Sequence, residues 1–388
     1  MSPNRHPRAS EDPSAADLRW NDVAFADYHL DAHRTADHTS LMQPTTPLPN
    51  FASDNWAAAH PEVMDAVVRA NNGPVPSYGG DPYTHEAEAL IKQHFGAAAQ
   101  PFFVFTGTGA NVLSLESCIR PCDAIICSET AHIHTSEWGA VERMTGSRIL
   151  PISAPDGKIT AGAVADMIPI QDGHARARPG VVSLTQATEY GTVYTPDEVR
   201  SISHVARERG LYVHMDGARL ANAAASLGLS LREVSTDCGV DVLSFGGTKN
   251  GAFCAEAIVF MNEHLARDFV LRRKQAMQLA SKLRYMAVQF TALLTNELWL
   301  RNARHANAMA QRLSEGLSAI AGVSVTQKVE ANEVFVAVPE RAIRKLNDVA
   351  SLHVWNETTS ELRLVCSFQT TGSEVDGFVA QAREIVAG

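Results

Sequence analysis

Lys249 lies just past the apolar run Val242–Ser244, flanked by Gly246, Gly247 and Gly251 and beside Thr248. A Schiff-base lysine needs such a partly enclosed, flexible turn, so the position reads as a covalent carrier of a carbonyl compound. A second signal stands 33 residues upstream (249 − 216), where His214-Met215-Asp216-Gly217-Ala218-Arg219 ends another apolar run with a carboxylate. An anion at a buried strand end requires a cationic partner. A protonated pyridine nitrogen would serve, and so would Arg219, in an ion pair capping the next helix. One helix-and-strand unit fits the interval, so both residues can reach the same sheet edge. His214 shares a strand face with Asp216 and reads as its hydrogen-bonding neighbour rather than a catalyst.

Two further segments reach for that edge. Thr106-Gly107-Thr108-Gly109-Ala110-Asn111 follows an apolar run and opens a helical pattern. It is either a phosphate seat of bare amides at a helix N-terminus or a turn that only packs tightly. Val112 stands where a dinucleotide fingerprint requires its third glycine, and no G-x-x-x-x-G-K-[ST] string occurs, so dehydrogenase and P-loop readings lose ground. His132 follows the run ending at Cys127, where an imidazole can stack on a bound ring; an ordinary loop histidine is the alternative. His132 and His134 lack a third ligand cluster or an H-E-x-x-H string, so no metal is expected.

The elements that must position these residues follow from the pattern. Phe102–Phe105, Ala124–Cys127, Ile149–Ile152, Val181–Thr185, Tyr212–Met215, Val242–Ser244 and Ala257–Met261 alternate with helical patterns, which predicts an α/β domain with a mainly parallel sheet. Thr195, Pro196 and Glu198 spell a helix start and Gly210 its stop. A long helical pattern spans Leu265–Leu294, and strands near Val323–Val325, Val334–Val338 and Leu362–Ser367 then predict a smaller α+β domain. The expected division is an N-terminal extension over residues 1–50, read as a mobile extension, a targeting remnant or an over-long start-site choice, a large domain over 51–300 and a small one over 301–388.

A chain of 388 residues exceeds one core, and 45% hydrophobic with 20% charged residues describes a globular protein. The net charge of −10 without basic runs argues against nucleic acid. The six cysteines are scattered and read as reduced thiols; with no spanning segment or secretory leader, a cytoplasmic location is expected.

Six segments in order, TGTGAN, ICSETAHIHTSE, TQATEYGTVY, HMDGARLANA, DVLSFGGTKNG and RLVCSF, resemble the low-specificity L-threonine aldolases, and the likeness runs from Phe51 to the C-terminus. These are pyridoxal-phosphate enzymes of the aspartate-aminotransferase fold type (fold type I). The resemblance implies a seven-stranded, mainly parallel sheet with a smaller C-terminal α+β domain, and cleavage of L-threonine, L-allo-threonine or phenylserine-like amino acids to glycine and an aldehyde. It implies that Lys249 carries pyridoxal 5'-phosphate, Asp216 pairs with the pyridine nitrogen and His132 stacks on the ring. Gly107, Thr108 and Thr248 would hold the phosphate. Ser53, Arg219 and Arg363 would hold the substrate carboxylate, a task suited to the planar guanidinium.

Tyr78 and Arg284 would complete a neighbouring subunit's site in a homotetramer, a dimer of dimers; alternatively Tyr78 packs in a Gly-rich turn and Arg284 lies on a solvated helix face. Many members carry a second histidine where this chain reads Thr185-Gln186-Ala187-Thr188-Glu189, which leaves the β-hydroxyl base open among His132, Glu189 and an ordered water. Two rival readings are a related lyase, racemase or transaldolase using the same cofactor, and a cofactor-binding protein without catalysis.

Overall fold

The computed structural model describes residues 48–168 and 177–388. Most of the expected N-terminal extension, residues 1–47, therefore lies outside the described residues. Seven strands, β1 (Gln100–Val104), β2 (Asp123–Ser128), β3 (Arg148–Ile152), β4 (Arg178–Thr185), β5 (Tyr212–Gly217), β6 (Val242–Gly246) and β7 (Glu256–Phe260), form one sheet in the order β1-β7-β6-β5-β4-β2-β3. β2 to β6 are joined by parallel pairings, and β7 runs antiparallel to both β6 and β1.

The strands read as unbroken apolar runs because both faces are covered. Ile126, Val182, Leu243 and Val259 enter one core, while their neighbours Ile125, Val181, Val242 and Ile258 enter another on the opposite face. That is the two-residue alternation of a strand with no wet side. The helix Pro196–Glu208 begins with the expected reciprocal capping of Thr195 and Glu198. The pattern over Leu265–Leu294, however, is broken into Glu263–Ala266, Phe269–Gln275 and Arg284–Leu294. Asp268 and Met277 adopt left-handed φ of 60° and 62°, which turn the chain out of the helix. Gln278 is thereby placed to accept a hydrogen bond from the Phe105 N–H at 3.0 Å.

After the long helix Leu298–Ser318, an antiparallel sheet follows, β8 (Ser324–Val325), β9 (Glu333–Ala337), β10 (His353–Asn356) and β11 (Glu361–Val365), in the order β10-β11-β9-β8. The helices Glu340–Asn347 and Gly372–Ala387 bury Ala342, Leu346, Val375 and Phe378 in one core with Val334, Val336, Leu362 and Leu364. Phe51 joins this core from the other end of the chain: its N–H donates to the Ser351 carbonyl at 3.0 Å and its carbonyl accepts from the Val365 N–H at 2.8 Å. Among the described residues no helix is long and apolar enough to cross a membrane.

Candidate active site

The parallel strands bring their carboxyl ends to one edge. There Asp216 is in register with Thr185 on β4 and with Ser244 on β6. β6 closes at Gly246, and the 3-10 turn Thr248–Asn250 that follows carries Lys249. A glycine is required at position 247, since a Cβ there would stand 2.5 Å from the Ala255 carbonyl oxygen. The helix Gly107–Cys118 brings its N-terminus to the same edge. Thr106 caps it by accepting from the Gly109 N–H at 3.0 Å, which leaves the N–H groups of Gly107 and Thr108 without intrahelical partners. Lys249, Asp216, His132, Gly107, Thr108 and Thr248 line one cavity of about 400 Å³. An open helix N-terminus in its wall suits an anion such as phosphate.

Asp216 is buried, and it accepts from the Asn111 side chain at 2.7 Å and from the Ala218 N–H at 3.0 Å. It makes no ion pair among the described residues, because Arg219 pairs elsewhere. Asn111 also donates to Glu137 Oε1 at 2.9 Å, and that oxygen lies 2.9 Å from His132 Nδ1. The bond to Glu137 raises the basicity of His132 against the effect of burial, with Asp216 adding to the rise. His214 is the expected hydrogen-bonding neighbour: its ring nitrogens lie 2.9 Å from Ser183 Oγ and 3.0 Å from Ser244 Oγ. Burial holds it down to about 4, so it is neutral near pH 7.

A recess of about 70 Å³ shares Lys249, Asp216 and His132 with the cavity and adds Glu189 and Arg219 to its walls. Arg219 donates from Nε and Nη2 to the two oxygens of Asp54, at 2.7 and 3.0 Å, and its Nη1 lies 3.4 Å from Glu333 Oε1. Burial opposes the charge on Asp54, but Arg219 and Lys249 outweigh it and keep the carboxyl below its ordinary range. Burial raises Glu333 despite Arg219 and Arg363, and neither of its oxygens accepts a hydrogen bond among the described residues. Arg363 stands 5.4 Å over the Trp355 ring with its Nε likewise unpartnered. Ser53 caps the turn that begins at Asp54 by accepting from the Asn55 N–H at 3.2 Å. The three residues expected to hold a carboxylate thus gather around two resident carboxylates, those of Asp54 and Glu333.

Tyr78 and Arg284 do not line this chain's own cavity. Tyr78 is exposed at a left-handed φ of 60°, with the Lys274 ammonium 4.7 Å from its ring centre. Arg284 donates to the Gly73 carbonyl at 2.9 Å and stacks on Tyr285.

Sequence reasoning did not single out Asn111, Glu137, Asp54, Glu333 or Glu256. Glu137 left a faint signal, a carboxylate little more than one helical turn after His132. Glu256 lines the cavity, accepts from the Gly247 N–H at 3.0 Å and is pushed up to about 7 by burial. Glu189 accepts from the His132 N–H at 2.7 Å and from Thr185 at 2.9 Å through Oε1, while its Oε2 is buried and unpartnered among the described residues. Burial, reinforced by Asp216, pushes it up to about 7. No three His, Cys, Asp or Glu side chains converge as a metal site among the described residues.

Residues 50–341 match the family model described as beta-eliminating lyase. The chain belongs to the beta-eliminating lyase family. A low specificity L-threonine aldolase of Pseudomonas aeruginosa is 47% identical over 76% of this lyase and 86% of its own length. Another, of Pseudomonas sp., is 42% identical over 87% and 98%. Among solved structures, a Leishmania major threonine aldolase superposes with a TM-score of 0.83 at 29% identity, covering 87% of this lyase and 99% of that chain. The expected fold, an α/β architecture on a mainly parallel seven-stranded sheet, is borne out by the strand order and by this superposition.

Proposed function

We propose that this lyase acts in the cytoplasm, carries pyridoxal phosphate on Lys249, and cleaves L-threonine, L-allo-threonine and phenylserine-like β-hydroxy-α-amino acids into glycine and an aldehyde. One observation carries the reading: a lysine, a buried carboxylate without a cation and an open helix N-terminus line a single cavity. The two Pseudomonas relatives, at 47% and 42% identity, both bear the aldolase name.

The residues fit the cofactor. Asp216, held by Asn111 and Ala218, would pair with the ring nitrogen and so gain the cation its buried position lacks. The N–H groups of Gly107 and Thr108, with the Thr248 hydroxyl, would hold the phosphate, and His132 would lie against the ring. Bound there, pyridoxal phosphate supplies an electron sink for the pair left at Cα when the Cα–Cβ bond breaks.

This chain's own groups then set which bond breaks. Arg219, Arg363 and Ser53 hold the substrate carboxylate and so fix the rotation about Cα. Two groups on the cavity wall can take the β-hydroxyl proton, His132 and Glu189; the latter is pushed up to about 7, a value suited to a proton acceptor near neutrality. Tyr78 and Arg284, which stand away from their own cavity, support a homotetramer built as a dimer of dimers in which each cavity is completed by a partner.

The deciding experiment offers L-threonine, L-allo-threonine and phenylserine separately to the purified enzyme with added pyridoxal phosphate, with Lys249→Ala as control. Equal release of glycine and aldehyde, abolished in the variant, supports the reading. Cofactor binding without aldehyde from any of the three would move the assignment to racemisation, elimination or aldehyde exchange at the same lysine.

A further inference from the structure

Two buried carboxylates of the site share one carboxamide. Asn111 Nδ2 donates to Asp216 Oδ2 at 2.7 Å and to Glu137 Oε1 at 2.9 Å. Both amide hydrogens are therefore committed, and the amide cannot flip, since flipping would turn its oxygen toward two carboxylates. The price is visible, for Asn111 Oδ1 and Glu137 Oε2 are both buried without a partner among the described residues. Asn111 and Glu137 are themselves nearly inaccessible, so this arrangement is built into the wall rather than adopted at a surface.

The geometry points to Glu137 and Asn111 as positioning residues: Glu137 fixes His132 as the Nδ1–H tautomer, leaves Nε2 as the imidazole's free acceptor on the cavity, and Asn111 ties that pair to Asp216. Glu137 Oε1 is an acceptor only, so the His132 nitrogen 2.9 Å from it must carry the proton. A working imidazole is held in this way when a carboxylate against one ring nitrogen sets the tautomer and stabilises the charged ring. The charged groups that bear on His132 come from four elements: Glu137 beyond its own short helix, Asp216 on β5, Lys249 after β6, and Glu189 after β4, which holds the His132 N–H at 2.7 Å. Asp216 and Glu137 raise its basicity and Lys249 lowers it. The inference rests on the proposed function only for its kinetic consequence; the tautomer is a property of the chain itself.

The test compares wild type with Glu137→Gln. Nitrogen-15 spectra of the cofactor-free protein, with His132→Asn identifying the signal, should show the Nδ1–H tautomer in wild type and a mixture in the variant. In the loaded enzyme, Glu137→Gln should lower kcat about 10- to 100-fold with KM changed less than about twofold, and should move the acidic limb of the pH profile about one unit lower. A Glu137→Asp variant should restore part of kcat. An Nε2–H tautomer in wild type overturns the inference even if the variant does not fold. An unchanged tautomer and pH profile in a folded Glu137→Gln protein overturns it as well. Absence of aldolase activity in wild type would defeat the proposed reaction and leave the spectroscopic result to decide this one.

Discussion

Arg219 grips both carboxylate oxygens of Asp54, through Nε at 2.7 Å and Nη2 at 3.0 Å, although 165 positions separate them in the chain. Both are buried, so each depends on the other to offset the loss of water. Asp54→Ala would leave the guanidinium, among the described residues, with the more distant Glu333 as its ion-pair partner, and breaking such a pair costs about 3–5 kcal/mol. A urea titration should show the unfolding free energy falling by that amount, with Asp54→Asn falling less because its carbonyl oxygen can still accept. A midpoint unchanged in Asp54→Ala would remove the pair from any account of stability.

Glu333 is a second resident anion beside the same clamp, with both oxygens unpartnered among the described residues and Arg219 Nη1 at 3.4 Å. On the proposed function, a substrate carboxylate held by Arg219 would meet this charge. Glu333→Gln should therefore lower KM for threonine about three- to tenfold with little change in kcat, since the gain is in binding rather than in the bond-breaking step. Steady-state kinetics at pH 8 would check it, and a raised KM would show that Glu333 holds the arginines in place instead.

Glu189 and Glu256 predict how stability varies with pH. Each is lifted from an ordinary 4.5 to about 7, chiefly by burial. The folded chain then keeps protons that the unfolded chain releases between those values. Unfolding free energy therefore falls as pH rises from about 4.5 to 7 and levels off above. Each contributes at most roughly 3 kcal/mol to that fall. Denaturation of the cofactor-free protein across this window should give a shallower slope for Glu189→Gln than for wild type. Equal slopes would mean that Glu189 titrates as an ordinary surface carboxyl.

Two glycines of the site should respond oppositely to a methyl group. At Gly247 a Cβ meets the Ala255 backbone oxygen at 2.5 Å, so Gly247→Ala must displace the turn that carries Lys249. At Gly107 it meets nothing within 4 Å, and its site is the cavity wall. Gly107→Ala should keep the thermal midpoint of the cofactor-free chain and retain pyridoxal phosphate about tenfold less tightly, a loss of about 1.4 kcal/mol. Unaltered retention would move the phosphate seat elsewhere.

What the sequence made legible was whatever a local pattern encodes. Seven continuous apolar runs marked the strands to within a few residues, because strands buried on both faces have no polar alternation to confuse them. The residues at their carboxyl ends, Lys249, Asp216, His132 and the Gly107 turn, then had to meet at one edge. Pairings between distant segments were not legible. Proximity in sequence offered Arg219 to Asp216, whereas burial delivered it to Asp54; Asn111 reaches Asp216 across 105 positions. The helix breaks at Asp268 and Met277 carry no glycine to announce them, and the short edge strand His353–Asn356 is too brief for a periodicity.

Phe51 is fastened between Ser351 and Val365 of the C-terminal layer, and only three residues later Asp54 grips Arg219 at the carboxyl end of β5. The stretch between them is thus a taut tether with one knot in each layer. Any displacement of one layer against the other would reach that guanidinium grip through this short stretch of chain. If Arg219 takes a substrate carboxylate as proposed, that carboxylate would act on the same cord from its other end, and the rate at which the amides around Phe51 exchange their hydrogens would then gauge how firmly the pocket is held.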